Sequence, residues 1–271
     1  MTTTGRISSM DFTRLERDGF LVLNGLVRPE ELARFERDIA VVGERLAAQR
    51  GVERRSGKPI ADVLRAAGGH RSMLFDHIKR LFIVERLSVE IGAALEHTGL
   101  FAHSGVEVPI VWPTLRADLP DESTYLLPLH QDYATTRCRT AWRLWIPLRG
   151  VDDHHGTMEV APGSHRADPF PYVTEKSSDW GIERAELERR RLGTSRFELP
   201  AGDGVIFNPW LVHGSVPNRS QRTKWVLLLH VQDLAAFVNP DDASDPLCQF
   251  LELTAARPGP AAAPGRRVKQ R

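Results

Sequence analysis

The chain has 271 residues, and 36 lysines and arginines stand against 35 aspartates and glutamates for a net charge of +1. That balance argues against the basic excess of a nucleic-acid-binding domain, and no apolar run reaches the roughly 18 residues a membrane span needs. The two cysteines, Cys138 and Cys248, form neither a CxxC pair nor a zinc-ligand spacing, so a disulfide scaffold is not expected and a cytoplasmic location is. The opening residues MTTTGRISSM contain no apolar stretch of a signal peptide. A balanced surface of this kind fits an enzyme acting on a small molecule, and it leaves the oligomeric state open.

In chain order, DFTRLERDGF begins with a capping aspartate, Asp11, and ends at Gly19, which predicts a short helix. FLVLNGL (Phe20 to Leu26) reads as a strand. Pro29, Glu30 and Glu31 open a helix, with proline in the first turn and acids at the positive dipole end. Leu32, Phe35, Ile39, Val42 and Leu46 then recur at helical spacing. Residues from about 59 to 98 are also read as amphipathic helix, broken by GGHRSML (Gly68 to Leu74).

From about residue 106 short apolar or alternating runs separated by turn residues take over: VPIVW, TYLLPLHQD, TAWRLWIPL, TMEVAP, SRFELP, DGVIFNPWLVHGS and KWVLLLHVQ. They predict an all-β sandwich or barrel. A polar insertion over 166–195 interrupts them, and its later part, ERAELERRRL, reads as a helix with a solvated face. The expected organisation is one domain over 1–256, helical over about 11–98 and β over about 106–234, followed by a Pro/Ala/Gly/Arg-rich tail, 257–271, expected to be disordered.

The residues that carry chemistry lie in LLPLHQDY and NPWLVHGSVPN. On a strand, residues two apart share a face, so His130 and Asp132 can offer an imidazole and a carboxylate to one point. His213 supplies a second imidazole. Two histidines and one carboxylate form the facial triad of non-haem Fe(II) oxygenases, which leaves coordination positions open for a co-substrate and O2. A lone HxD is a weak signal; its setting is what gives it weight.

That setting is DGFLVLNGLVRPEEL near the N-terminus, HQD at 130–132, LWIPL at 144–148, GTMEVAPGSH at 156–165 and HGSVPNRS at 213–220. Over about residues 11 to 232 the chain resembles the phytanoyl-CoA dioxygenase superfamily of Fe(II)/2-oxoglutarate oxygenases. The resemblance implies a mainly β fold, a double-stranded β-helix (jelly-roll, cupin-like) core with N-terminal and flanking α-helices. It implies Fe(II), 2-oxoglutarate and O2 as cofactor and co-substrates, with His130, Asp132 and His213 as metal ligands. The family's arginine for the distal carboxylate of 2-oxoglutarate falls eleven positions after His213, where this chain has Lys224. Lysine brings the charge without the two-pronged geometry, and Arg222 is the alternative if the register slips. Ser215 matches a hydroxyl that helps bind the same carboxylate, and Trp145 matches an aromatic residue lining the co-substrate pocket. Halogenases of the superfamily lack the carboxylate ligand, so Asp132 favours hydroxylation or a related C–H oxidation or ring closure. The favoured substrate is a small organic molecule, with a secondary-metabolite or sugar-containing scaffold preferred by family analogy.

The remaining candidates read as bland. His154 and His155 fit a solvated turn and His165 a structural one. Arg137, Arg139 and Arg143 read first as strand-edge charges, and Asn208 and Trp210 as pocket wall. The rival classes are a zinc- or other metal-dependent hydrolase or isomerase on a cupin-like barrel, and a non-catalytic binding protein on the same fold.

Overall fold

A computed structural model describes residues 7, 9–132, 136, 140–171 and 181–238. Cys138, Cys248, Arg137, Arg139 and the tail 257–271 lie outside the described residues.

The N-terminal half is helical for local reasons. Asp11 accepts the Arg14 N–H at 3.0 Å to start α1 (Phe12–Asp18), and Gly19, at φ +83°, ends it in the left-handed conformation that glycine tolerates. After β1 (Phe20–Leu23), Pro29 and the Arg28–Glu31 capping box launch α2 (Pro29–Arg50). Then come α3 (Pro59–Ala67), α4 (Arg71–Ile78), α5 (Phe82–His97) and α6 (Leu100–Ser104). The break predicted over Gly68 to Leu74 is narrower: a 3-10 turn, Gly68–His70, leads directly into α4.

The strands are β2 (Pro109–Asp118), β3 (Trp142–Pro147), β4 (Met158–Val160), β5 (Ser195–Arg196), β6 (Gly204–Phe207), β7 (His213–Ser215) and β8 (Lys224–Asp233), with α7 (Arg184–Arg189) before β5. They form an antiparallel five-stranded sheet, β1-β6-β3-β8-β2, and an antiparallel three-stranded sheet, β5-β4-β7. Helices cover more of the described chain than strands do, which corrects the expectation of a mainly β protein: α2 and α5 alone run 22 and 16 residues. TYLLPLHQD is also not a strand. It meets β7 through a single bridge, His130 to His213.

The large sheet separates two cores. On one face Leu144, Ile146, Trp225, Leu227 and Leu229 pack against Phe35, Leu64, Leu87 and Ile91 of the helices. On the other, Trp145, Val205, Phe207 and Val226 pack against Met158, Val160 and Leu211 beneath the small sheet. The period-two alternation of β8 builds both faces at once. None of the described helices is long and apolar enough to cross a membrane.

Candidate metal centre

His130 and His213 are fixed first by backbone. Each donates its N–H to the other's carbonyl, at 2.8 and 2.9 Å, and the ring centroids lie 4.2 Å apart. Asp132 is anchored by its own N–H to the Pro209 carbonyl at 2.7 Å. Between them, the fully buried Gln131 donates to the Trp210 carbonyl and accepts the Phe170 N–H at 3.0 Å, tying the ligand segment to the chain on either side.

The three ligand atoms lie within 4.8 Å of one another. His130 Nδ1 meets the Pro128 carbonyl at 2.8 Å and His213 Nδ1 meets the Leu211 carbonyl at 3.0 Å. Those bonds fix the tautomer and make Nε2 the ligand atom of each ring, the usual arrangement around a metal-bound histidine. Atoms bound at right angles to one first-row metal at about 2.1 Å stand about 3 Å apart; His130 Nε2 and Asp132 Oδ1 are at 3.4 Å. The donor set therefore fits a single ion with little movement.

Electrostatics prepare the same state. Burial, with His130 adding, pushes the His213 pKa down to about 4, which keeps the ring neutral for ligation. Burial opposes ionisation of Asp132, but the His130 hydrogen bond and the electrostatic influence of its neighbours, including the permanent charge of Arg143, outweigh it and hold the carboxyl well below its usual range. Arg143 is 2% exposed and its Nε donates to Asp132 Oδ2 at 3.2 Å. This corrects the reading of Arg143 as an edge charge: it orients a ligand.

Beside the ligands lies a small cavity of about 50 Å³. His130, His213, Trp145, Ser215 and Lys224 line it. Arg222 does not. It precedes β8, is exposed, and lines a separate recess with Arg149 and His155. Lys224 is 4% exposed, and its Nζ donates to Asp118 Oδ2 and to the Gly156 carbonyl, both at 2.6 Å. Burial pulls the Lys224 ammonium below the usual lysine range, and the Asp118 charge limits the fall. Asp118 stays below the usual carboxylate range because Lys224 and Arg116 outweigh its burial.

Arg116, Asp118 and Thr157 also line the cavity. They escaped sequence reasoning, although alternation along LRAD places Arg116 and Asp118 on one face. The turn readings of two histidines match their placements: His155 Nδ1 meets Asp152 Oδ1 at 2.7 Å within a turn, and His165 Nε2 meets the Glu16 carbonyl at 2.9 Å. Asn208 Oδ1 accepts the Trp210 N–H at 2.9 Å, and neither residue is among those lining the cavity, against their reading as pocket wall.

The family profile described as phytanoyl-CoA dioxygenase (PhyH) matches residues 15–226. Ectoine dioxygenase of Nocardia farcinica (strain IFM 10152) is 24% identical over 245 residues, covering 80% of this chain and 75% of that protein. Among solved structures, the epimerase SnoN in complex with Fe3+, alpha ketoglutarate and nogalamycin RO superposes with a TM-score of 0.55 at 18% identity, covering 82% of this chain and 81% of that one. EvdO2 from Micromonospora carbonacea var. aurantiaca, complexed with 2-oxoglutarate, gives 0.55 at 14% identity, covering 83% and 91%. These structural likenesses speak to the fold; the profile match, spanning most of the chain and including all three ligands, speaks to descent. The chain belongs to the phytanoyl-CoA dioxygenase family and is an iron- and 2-oxoglutarate-dependent oxygenase.

Proposed function

We propose that this enzyme oxidises a C–H bond of a small organic molecule, by hydroxylation or by a related oxidation or ring closure. The observation that carries the reading is the convergence of His130, Asp132 and His213 within 4.8 Å, at the wall of a cavity that also holds cationic side chains. Ferrous iron with 2-oxoglutarate and O2 supplies the oxidising power, and 2-oxoglutarate leaves as succinate and CO2.

The protein's own part is placement. Asp132 is held ionised and oriented by Arg143, which supports a carboxylate ligand and hydroxylation rather than halogenation. The backbone bonds of the two imidazoles present Nε2 without rearrangement. Lys224, Ser215 and Trp145 form the proposed surroundings of 2-oxoglutarate, with the Lys224 ammonium already paired with Asp118. Arg222 is set aside because it lies outside the cavity.

The two packed antiparallel sheets are proposed as a double-stranded β-helix within a single domain over 1–256. A small polar substrate is supported by the relative named ectoine dioxygenase. A secondary-metabolite scaffold is the narrower suggestion, prompted by a structural neighbour described as from nogalamycin biosynthesis. With two cysteines far apart in sequence, the proposed location is the cytoplasm.

Anaerobic reconstitution with Fe(II), followed by succinate measurement with a panel of candidate substrates, tests the reading. Substrate-stimulated succinate formation is expected. Retention of zinc, with no consumption of 2-oxoglutarate under any condition, would return the chain to the hydrolase or isomerase class.

A further inference from the structure

One wall of the metal-centre cavity is made where β2 pairs with β8. Asp118 sits directly opposite Lys224, and Arg116, two residues back on β2, shares their face. Arg116 Nε donates to Asp118 Oδ1 at 2.9 Å while Lys224 Nζ holds Asp118 Oδ2 at 2.6 Å. Both carboxylate oxygens are thereby engaged. The cluster holds two cations and one anion, so it retains one uncompensated positive charge inside the cavity.

Two further observations point to a missing ligand. Thr157 is fully buried, lines the same cavity, and its Oγ1 has no hydrogen-bond partner among the described residues. A buried unsatisfied hydroxyl is unfavourable, so a native one asks for an explanation. Arg116 commits Nε to Asp118 and Nη2 to the Tyr125 carbonyl, and its Nη1 has no partner among the described residues. Lys224 has already given two of its three protons to Asp118 and Gly156.

We propose that Arg116 gives this cavity its selectivity for a 2-oxo acid bearing a second carboxylate, with Thr157 Oγ1 donating to the same group. Lys224 and Asp118 then serve as a positioning pair: Asp118 aims the guanidinium and neutralises the lysine. The residual single positive charge matches one added carboxylate. Arg116 adds the donor, Nη1, that the already engaged lysine at position 224 lacks. The inference rests on the 2-oxoglutarate reading above and names the residue that enforces it.

Calorimetric titration of Mn(II)-loaded protein tests this without turnover. The probes are 2-oxoglutarate and 2-oxobutyrate, which share the chelating end and differ in the distal carboxylate. Arg116→Met is expected to weaken 2-oxoglutarate binding on the order of 10- to 100-fold, the worth of a charge-assisted hydrogen bond. Binding of 2-oxobutyrate is expected to stay unchanged, so the preference collapses. Thr157→Val is expected to lower the preference by about 2- to 10-fold, and Arg222→Ala to leave it intact. If Arg116→Met does not fold, Arg116→Lys decides, because it keeps the charge and removes the Nη1 donor: a reduced preference supports the proposal and an unchanged one overturns it. Wild-type preference in Arg116→Met, with loss of preference in Lys224→Met, overturns it and leaves the anchor at Lys224. Failure of the metal-loaded wild type to bind either 2-oxo acid would instead count against the 2-oxoglutarate reading itself.

Discussion

His130 and His213 are paired through their backbones before any metal is considered: each N–H donates to the other's carbonyl, at 2.8 and 2.9 Å. The bridge does not depend on the imidazoles, so the rings can be removed without removing the scaffold that presents them. His213→Ala is therefore expected to fold, as judged by circular dichroism, and to lose more than about 100-fold in Fe(II) affinity, beyond the usual effect of altering a group that merely supports a ligand. Asp132→Ala is expected to abolish substrate-dependent succinate formation. Undiminished turnover in that variant would remove the carboxylate from the chemistry.

Arg143 reaches the centre through Asp132, to which its Nε donates. Losing a group that orients a metal ligand commonly costs about 10- to 100-fold in metal affinity or activity. Arg143→Met should fall in that range in an Fe(II) titration. An affinity equal to wild type would show that Asp132 keeps its orientation without help.

The Lys224–Asp118 pair makes a prediction about stability. Removing the anion of a buried ion cluster leaves its cations uncompensated, at about 3–5 kcal/mol. Asp118→Asn should lower the urea midpoint accordingly, because Lys224 and Arg116 both lose their counter-charge, whereas Lys224→Met leaves Asp118 paired with Arg116 and should cost less. The Lys224→Met variant should also need more 2-oxoglutarate for half-maximal turnover. Equal stability of the two variants would argue that water screens the cluster.

His230 supplies a pH dependence. Burial, with the charge of Arg143 adding, pushes its pKa down to about 3 against an ordinary value of 6.5, and its Nε2 has no hydrogen-bond partner among the described residues. Between those two values the unfolded chain binds the proton and the folded chain does not, so stability is complete above the unfolded pKa and falls as the solution is acidified. The slope contributed by one such group approaches about 1.4 kcal/mol per pH unit. His230→Phe keeps an aromatic ring beside Trp112, on which His230 stacks at 5.2 Å, and removes the titration. Its stability should fall less steeply than wild type between about pH 6 and pH 4. Parallel curves would place the acid sensitivity elsewhere.

The metal ligands were legible in the sequence because their signal is local. The HxD spacing keeps two ligands within three residues even though the segment makes a single bridge rather than the expected strand, and the context around His213 supplied the third ligand. The helical caps at Asp11, Gly19 and Pro29 were legible for the same reason. The cation cluster was not. Sequence reasoning recognised only VPIVW at the start of β2, whereas the strand runs on through a second proline to Asp118, and pairing with Lys224 is a contact between segments remote in sequence. Arg143 misled because a charged residue on a strand is usually at an edge, and its partner, Asp132, lies on a segment with no strand of its own. The fold class leaned too far toward β because the strands were counted by number and the helices are long.

Strand β8 writes two messages in alternate letters. Its odd-numbered residues, Trp225, Leu227, Leu229 and Val231, hold the helices, and its even-numbered residues, Lys224, Val226 and Leu228, furnish the chamber. Inserting one residue near its start would exchange the two sets, turning an ammonium toward oil and an indole toward the reacting molecule. Variation in this strand is therefore confined to substitution: directed evolution can recolour either face, but a change of length would erase fold and catalysis together.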